Sequence, residues 1–273
     1  MQVDFKKIAK ELAIKANTEL RKDFLKLLRE GFRKEKNKRA KKILKIILEN
    51  AQIAKKERLA ICQDTGLPLV FLEVGRDIKI NKKIIEEINE GIVEAYKEAG
   101  FRASVIDILT KKISYNSEFF NIEFVNKKGL KITVFVKGFG SENKSQLRMF
   151  NPTTSFKEIE DFVLEAVKNA GPDSCPPFVV GIGIGGTADT ALLLAKKALL
   201  ERLDTPNPTP FLDKWEKRLL KKINSLNIGP MGLGGLTCLK VRIKTKPTHI
   251  AGLPVGINIS CHALRSKSKV IKF

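Results

Sequence analysis

The sequence predicts an α/β chain with α+β character, in which a helical N-terminal region packs with mixed or antiparallel β-sheets. Three observations predict it. Apolar residues recur at helical spacing through residues 1–60. Short segments farther on alternate apolar and polar residues between glycines. Helical and strand patterns then interleave to the end, with no repeat, low-complexity tract or visible linker. The expected organisation is therefore one domain over 1–273.

In the first region, Ile8, Leu12 and Ala16 mark one helix, and Phe24, Leu27 and Leu28 mark a second that Gly31 should end. Residues 38–57 form a third, with Ile43, Ile46 and Ile47 near one face. Leu69 to Val74 is a short apolar strand, and 82–99 is a helix with Ile84, Ile85, Ile88, Ile92 and Val93 as its buried stripe. Segments 120–126 and 130–137, split by Gly129, give the strongest hairpin signal. Ser155 and Glu158 form a capping box for a helix over 155–170, which Gly171-Pro172 stops. Phe178 to Ile184 is an apolar strand, and Gly185-Gly186 turns it into a helix from Thr187 to Arg202. A Lys-rich helix over 211–225 and strands at 238–244 and 254–260 complete the core.

The chain has 273 residues, long enough for a sizeable core. No run of 18 apolar residues is present, so no membrane span is expected. The first residues lack the apolar segment of a signal peptide, which makes cytoplasmic residence the expectation. Lys and Arg number 51 against 30 Asp and Glu, a net charge of +21. That excess reads as a Lys-rich protein of a hot-growing organism or as the complement of an acidic partner. It would also draw in small dicarboxylates. Nucleic acid is the rival partner, but no zinc finger, aromatic-basic module or RNP-type motif accompanies the charge.

Four cysteines carry the most chemistry. In a reducing compartment they point to metal binding, catalysis or core filling rather than disulfides. Cys62, Cys175 and Cys261 sit in turn-like or strand-end contexts flanked by polar groups, while Cys238 opens an apolar alternating segment and reads as core. No Cys-x-x-Cys pair exists, unlike a zinc finger or a ferredoxin. Three thiolates from separated loops can hold a metal centre with one position open, which suits Lewis-acid chemistry. Asp64 could orient a substrate hydroxyl or serve as a turn-capping carboxylate. His249 could bind a carboxylate, move a proton or simply be structural. His262 follows a candidate ligand and is either a supporting group or a surface residue. Gly181, Gly183 and Gly186 match G-x-G-x-x-G, but the glycines begin inside the strand, which argues against a nucleotide loop.

ICQDTG at 61–66, FRAS at 101–104, KGFGSENKS at 137–145, CPPFVVGIGIGGTAD at 175–189, GPMGLGG at 229–235 and HIAGLPVGINISCHALR at 249–265 follow in one order. As a set they resemble the class I iron–sulfur fumarate hydratases and their tartrate dehydratase relatives. The resemblance is to the alpha subunit of the two-subunit form, equivalent to the N-terminal region of the one-chain enzymes. It implies that family's N-terminal-domain fold and a [4Fe–4S] cluster on Cys62, Cys175 and Cys261, with one iron not ligated by cysteine. It implies reversible hydration of fumarate to L-malate, a step of the tricarboxylic acid cycle. Gln63, Asp64, Arg102 and His249 match positions that hold or orient substrate, and the amides around Gly138 and Gly140 would line the pocket. Phe139 departs from the family, where many relatives carry a third glycine. The family's further basic residues and its proton-abstracting threonine lie in a region absent here. The resemblance therefore implies a beta subunit, in a heterotetramer of two alpha and two beta chains. L-tartrate and mesaconate remain as alternative substrates.

Overall fold

The computed structural model describes residues 3–116 and 118–272. Three helices open the chain: α1 (Phe5–Thr18), α2 (Lys22–Lys34) and α3 (Lys38–Glu57). Then come β1 (Leu67–Gly75), α4 (Lys82–Glu98), β2 (Val105–Ile106), β3 (Ile113–Ser114), β4 (Phe120–Val125), β5 (Leu130–Lys137), α5 (Phe139–Glu142) and β6 (Gln146–Phe150). The remainder is α6 (Phe156–Ala170), β7 (Phe178–Ile184), α7 (Ala188–Leu200), α8 (Pro210–Ser225), β8 (Cys238–Thr245), β9 (Leu253–Ser260) and β10 (Arg265–Ile271). The α/β class holds. The Ser155–Glu158 capping box forms as expected. Gly31 does not end α2: the helix continues three residues beyond it, and the missing side chain leaves room for Leu236. No helix among the described residues is long and apolar enough to cross a membrane.

The chain divides into two compact units. Each is assembled from discontinuous segments, which is why no linker is visible in the sequence.

The first unit takes residues 1–21, 50–139 and 265–273. Its sheet has the order β10-β5-β1-β4. β1 runs parallel to β4 and antiparallel to β5, and β10 is antiparallel to β5. The expected hairpin of 120–126 with 130–137 is therefore wrong. Both strands form, but β1 lies between them. Its apolar run Leu69–Leu72 is buried on both faces and claims the centre, leaving β4 as an edge strand. The β4–β5 link crosses the end of β1, where Gly75 N–H donates to the Gly129 carbonyl at 2.9 Å. A Cβ at Gly75 would strike the carbonyls of Gly129 and Lys127, so the crossing requires glycine. Val70, Leu72 and Val74 of β1 pack with Ile132, Val134 and Val136 of β5 against α1 and α4. Gly91 of α4 brings that helix onto the Lys6 carbonyl of α1.

The second unit takes residues 22–49 and 140–264. Its sheet order is β6-β9-β7-β8. β7 is parallel to β8 and antiparallel to β9, and β6 is antiparallel to β9. Strand parity divides β7. Val180, Ile182 and Ile184 enter a core with α6 and α8. Gly181 and Gly183 face the other way, where α7 rests directly on them: a Cβ would meet the carbonyls of Ala195 and Ala191. Gly185 and Gly186 end the strand and let the β8–β9 link cross it, with Gly186 N–H donating to the Pro247 carbonyl at 3.1 Å. The glycines of the G-x-G-x-x-G pattern thus serve close packing and a chain crossing.

Candidate active site

Three of the four cysteines lie on turns, and all four carry thiols. Cys62 belongs to the first unit. Ile61, just before it, is buried; its N–H donates to the Asn17 carbonyl and its own carbonyl accepts from Asn50 Nδ2, both at 2.9 Å. After Cys62, Gln63 is exposed and Asp64 is half-buried. The Asp64 carboxylate caps two amides: Oδ1 accepts from Gly66 N–H and Oδ2 from Phe139 N–H, each at 2.9 Å. The Phe139 amide in the Gly138–Gly140 turn is thus taken by Asp64, and the Phe139 side chain is exposed. Thr65 is buried. Its Oγ1 accepts from Arg102 N–H at 3.0 Å, and its carbonyl accepts from Tyr96 Oη at 2.7 Å. Arg102 joins the group through its backbone, with its guanidinium exposed.

Beneath this loop lies a polar layer. Asn17 of α1, Tyr96 of α4 and Arg265 of β10 are at most 3% exposed. Arg265 Nη1 donates to the Asp64 carbonyl at 2.7 Å and to Asn17 Oδ1 at 3.3 Å. Asn17 Nδ2 donates to Tyr96 Oη at 3.3 Å. Burial pushes the Tyr96 hydroxyl up to about 12, so it is a standing donor. At Gly138 a Cβ would stand 3.1 Å from both Arg265 Nη2 and Asp64 Oδ2, wedging the two apart.

Cys175 and Cys261 belong to the second unit, and its sheet brings them to one end. The register pairs Val179 with Ser260, so β7 begins where β9 finishes. Cys175 is exposed and left-handed, at φ 52° and ψ 68°, and its N–H donates to the Pro172 carbonyl at 2.9 Å. The Cys175 carbonyl accepts from His262 N–H at 3.0 Å, and His262 Nδ1 lies 3.0 Å from the same oxygen. His262 therefore ties the two cysteine turns together. Cys261 is half-buried, and its Sγ accepts from Ala263 N–H at 3.4 Å. Gly140 approaches the Asp173 carbonyl, and Lys144 pairs with Asp173 at 3.3 Å. Asn258, Glu142 and Ser145 hold that turn through Asn258 Nδ2, at 2.9 and 2.7 Å.

His249 is not brought to this end. It precedes β9 whereas Cys261 follows it, and the eight residues between span about 27 Å. It is exposed, and its Nδ1 accepts from the Ala251 amide at 3.1 Å.

As donors, Cys62, Cys175 and Cys261 are all reachable on turns, the state soft metal centres require. Cys238 is 1% exposed, and burial pushes its thiol up to about 12, so it stays protonated and packs as a hydrophobe. Three reachable cysteines with one excluded fit an iron–sulfur centre in kind. Among the described residues, no three or more His, Cys, Asp and Glu side chains are already grouped to hold a metal ion.

The family model for fumarate hydratase (Fumerase) matches residues 6–270. The chain belongs to the fumarate hydratase family. One relative, from Methanocaldococcus jannaschii, is named "Putative L(+)-tartrate dehydratase subunit alpha"; it is 46% identical over 272 residues, covering 96% of this chain and 95% of that protein. The L(+)-tartrate dehydratase subunit alpha of Escherichia coli K12 is 26% identical over 250 residues, 89% of this chain and 82% of its own.

In this fumarate hydratase family chain, the sequence motifs lead to Cys62, Asp64, Arg102, Gly138, Cys175 and Cys261. They contain Arg265 without singling it out, and they do not reach Asn17 or Tyr96. Asn17 follows Ala13 by one helical turn on the buried stripe of α1, and an amide on an apolar face was its only signal. Arg265 closes the last motif but stands among Lys-rich neighbours that hide it.

Proposed function

We propose that this chain is the alpha subunit of a [4Fe–4S]-dependent hydro-lyase that interconverts fumarate and L-malate together with a beta subunit. The observation that carries this reading is the division of the cysteines: three reachable thiols on turns and one buried, protonated thiol. Cys62, Cys175 and Cys261 would hold the cluster. When bound, it would supply a Lewis-acidic iron that no cysteine ligates, suited to a hydroxyl leaving group. The protein's own part is orientation. Asp64, held by two amides, presents a fixed carboxylate for a substrate hydroxyl. The exposed Arg102 guanidinium offers a bidentate partner for a substrate carboxylate, and Gln63 an amide beside it. Within one chain β9 separates His249 from the Cys175–Cys261 end, so its proposed carboxylate contact would lie away from those two cysteines.

A second reading, dehydration of L(+)-tartrate, is favoured by the names of the two relatives. L-malate and L(+)-tartrate differ by one hydroxyl, which a few contacts can discriminate. The beta subunit would supply the remaining basic groups and the proton-abstracting residue, in a complex of two alpha and two beta chains. Reduced thiols suit a cytoplasmic setting.

The test is anaerobic reconstitution with the beta subunit, followed by iron and sulfide analysis. Hydration of fumarate and mesaconate and dehydration of tartrate are then assayed side by side. Roughly four irons per alpha chain and turnover of one dicarboxylate support the proposal. A reconstituted complex without iron sinks it, and full activity of the isolated alpha chain removes the beta subunit from it.

A further inference from the structure

Arg265 is 1% exposed, yet no carboxylate pairs with it among the described residues. Burying a guanidinium is costly unless its surroundings are arranged around it. Here two neutral oxygens receive Nη1, the Asp64 carbonyl and Asn17 Oδ1, while Nε is buried with no partner. Nη2 and Asp64 Oδ2 each stand 3.1 Å from the point where a Gly138 side chain would begin. The cation thus grips the peptide bond that follows Asp64 and faces that residue's carboxylate across a glycine. A neutral side chain of similar length would fill the volume at lower cost. What it would lack is the Nη1 donor to a carbonyl two residues from Cys62, and the charge that faces the Asp64 carboxylate.

We propose that Arg265 is a positioning residue for the Cys62–Asp64 loop, setting the orientation of both the thiol and the carboxylate. The inference deepens the hydro-lyase reading and rests on it for its catalytic meaning. The loop geometry itself is testable without metal.

The experiment measures iodoacetamide alkylation of each cysteine, by peptide mass mapping, in the full metal-free alpha chain. Amide protection of Val134 in β5 is the reference for unfolding of the first unit, and Cys238, Cys175 and Cys261 report on the second. Arg265→Met should raise the Cys62 rate roughly fivefold through local opening, with Cys238 still protected and Cys175 and Cys261 changed less than about twofold. Arg265→Lys keeps the charge on a shorter side chain without the planar group that reaches both the Asp64 carbonyl and Asn17 Oδ1, and its Cys62 rate should fall between the two. If Arg265→Met exposes Cys238, Arg265→Lys decides: a raised Cys62 rate with Cys238 protected supports positioning. A wild-type Cys62 rate in a folded Arg265→Lys chain overturns it. Loss of Val134 protection or exposure of Cys238 in both variants also overturns it, since Arg265 would then be a general stability residue. None of these rates needs iron, so a complex that never takes up iron defeats the cluster reading and leaves this outcome to be judged separately. In an active complex, Arg265→Lys should lower kcat while KM stays within about twofold, the split expected when orientation and not binding is lost.

Discussion

Cys62 and Cys175 both sit on turns that lead into the central strand of a four-stranded sheet, β1 in one unit and β7 in the other. The two sheets share a plan. Each central strand has a parallel neighbour reached by a helical crossover and an antiparallel neighbour that follows it in sequence. In each, the link between those neighbours crosses the end of the central strand at glycine. The cysteine turns are nevertheless held differently. Beneath the Cys62 loop, side chains do the holding: Asn17, Tyr96 and Arg265 arrive from three elements. At Cys175 and Cys261 it is mainly backbone: a left-handed residue, a register and the His262 amide. The first arrangement is open to tuning by single substitutions. The second is fixed by the path of the chain.

The largest effects should come from the thiols, where the proposed function makes the units equivalent. Cys62→Ala, Cys175→Ala and Cys261→Ala should each abolish most of the iron content, whereas Cys238→Ala should keep it. Equal iron loss in Cys238→Ala would break the division into three reachable thiols and one buried. Next comes backbone packing, where the units should differ. Gly183→Val drives a side chain into the Ala191 carbonyl under α7 and should cost about 3 kcal/mol or more, seen as a large fall in urea midpoint. Phe71→Leu in β1, also buried but a loss of volume rather than an addition, should cost about 1–2 kcal/mol. Similar costs at the two positions would show that α7 can lift off its sheet.

Tyr96→Phe probes the side-chain support directly. It removes the donor to the Thr65 carbonyl and should cost about 1–2 kcal/mol, with faster amide exchange confined to the Cys62–Gly66 loop. Protection at Cys175 should not change; if it does, the two turns are not independently held. This contrast also marks what the sequence could reveal. Local signals were legible: the capping box at Ser155, the apolar runs of β1 and β7, and the polar turns around the cysteines. What failed was pairing. Residues 120–137 read as a hairpin because alternation reports strand identity but not which strand inserts between two others. β10 and β6 were unseen because one is rich in Lys and Ser and the other is a short edge strand. Asn17, Tyr96 and Arg265 were hidden because their meaning depends on contacts 79, 31 and 201 residues away.

At neutral pH the smallest effect is that of burial on proton release, which grows only in alkali, and each unit carries one buried group for it. Cys238, in the second, is pushed from 9.0 up to about 12, and Tyr96, in the first, from 10.0 up to about 12, both by burial. A raised value means that the folded chain keeps a proton the unfolded chain gives up. Below pH 9 both contributions are complete. As pH rises from 9, the unfolded chain loses the Cys238 proton first and the Tyr96 proton from about 10, so stability falls until the folded groups also ionise near 12. Each group contributes a slope of up to about 1.4 kcal/mol per pH unit inside its window. Cys238→Ala isolates one of them. At pH 8 the variant should be less stable by about 1 kcal/mol, the cost of a small cavity. Between pH 9 and 11 that gap should narrow and then reverse, because only the parent chain carries the Cys238 penalty. A gap that stays constant across urea titrations from pH 8 to 11 would mean that the thiol is not sealed when the chain is folded. The contrast between one buried cysteine and three reachable ones would then lose its physical basis.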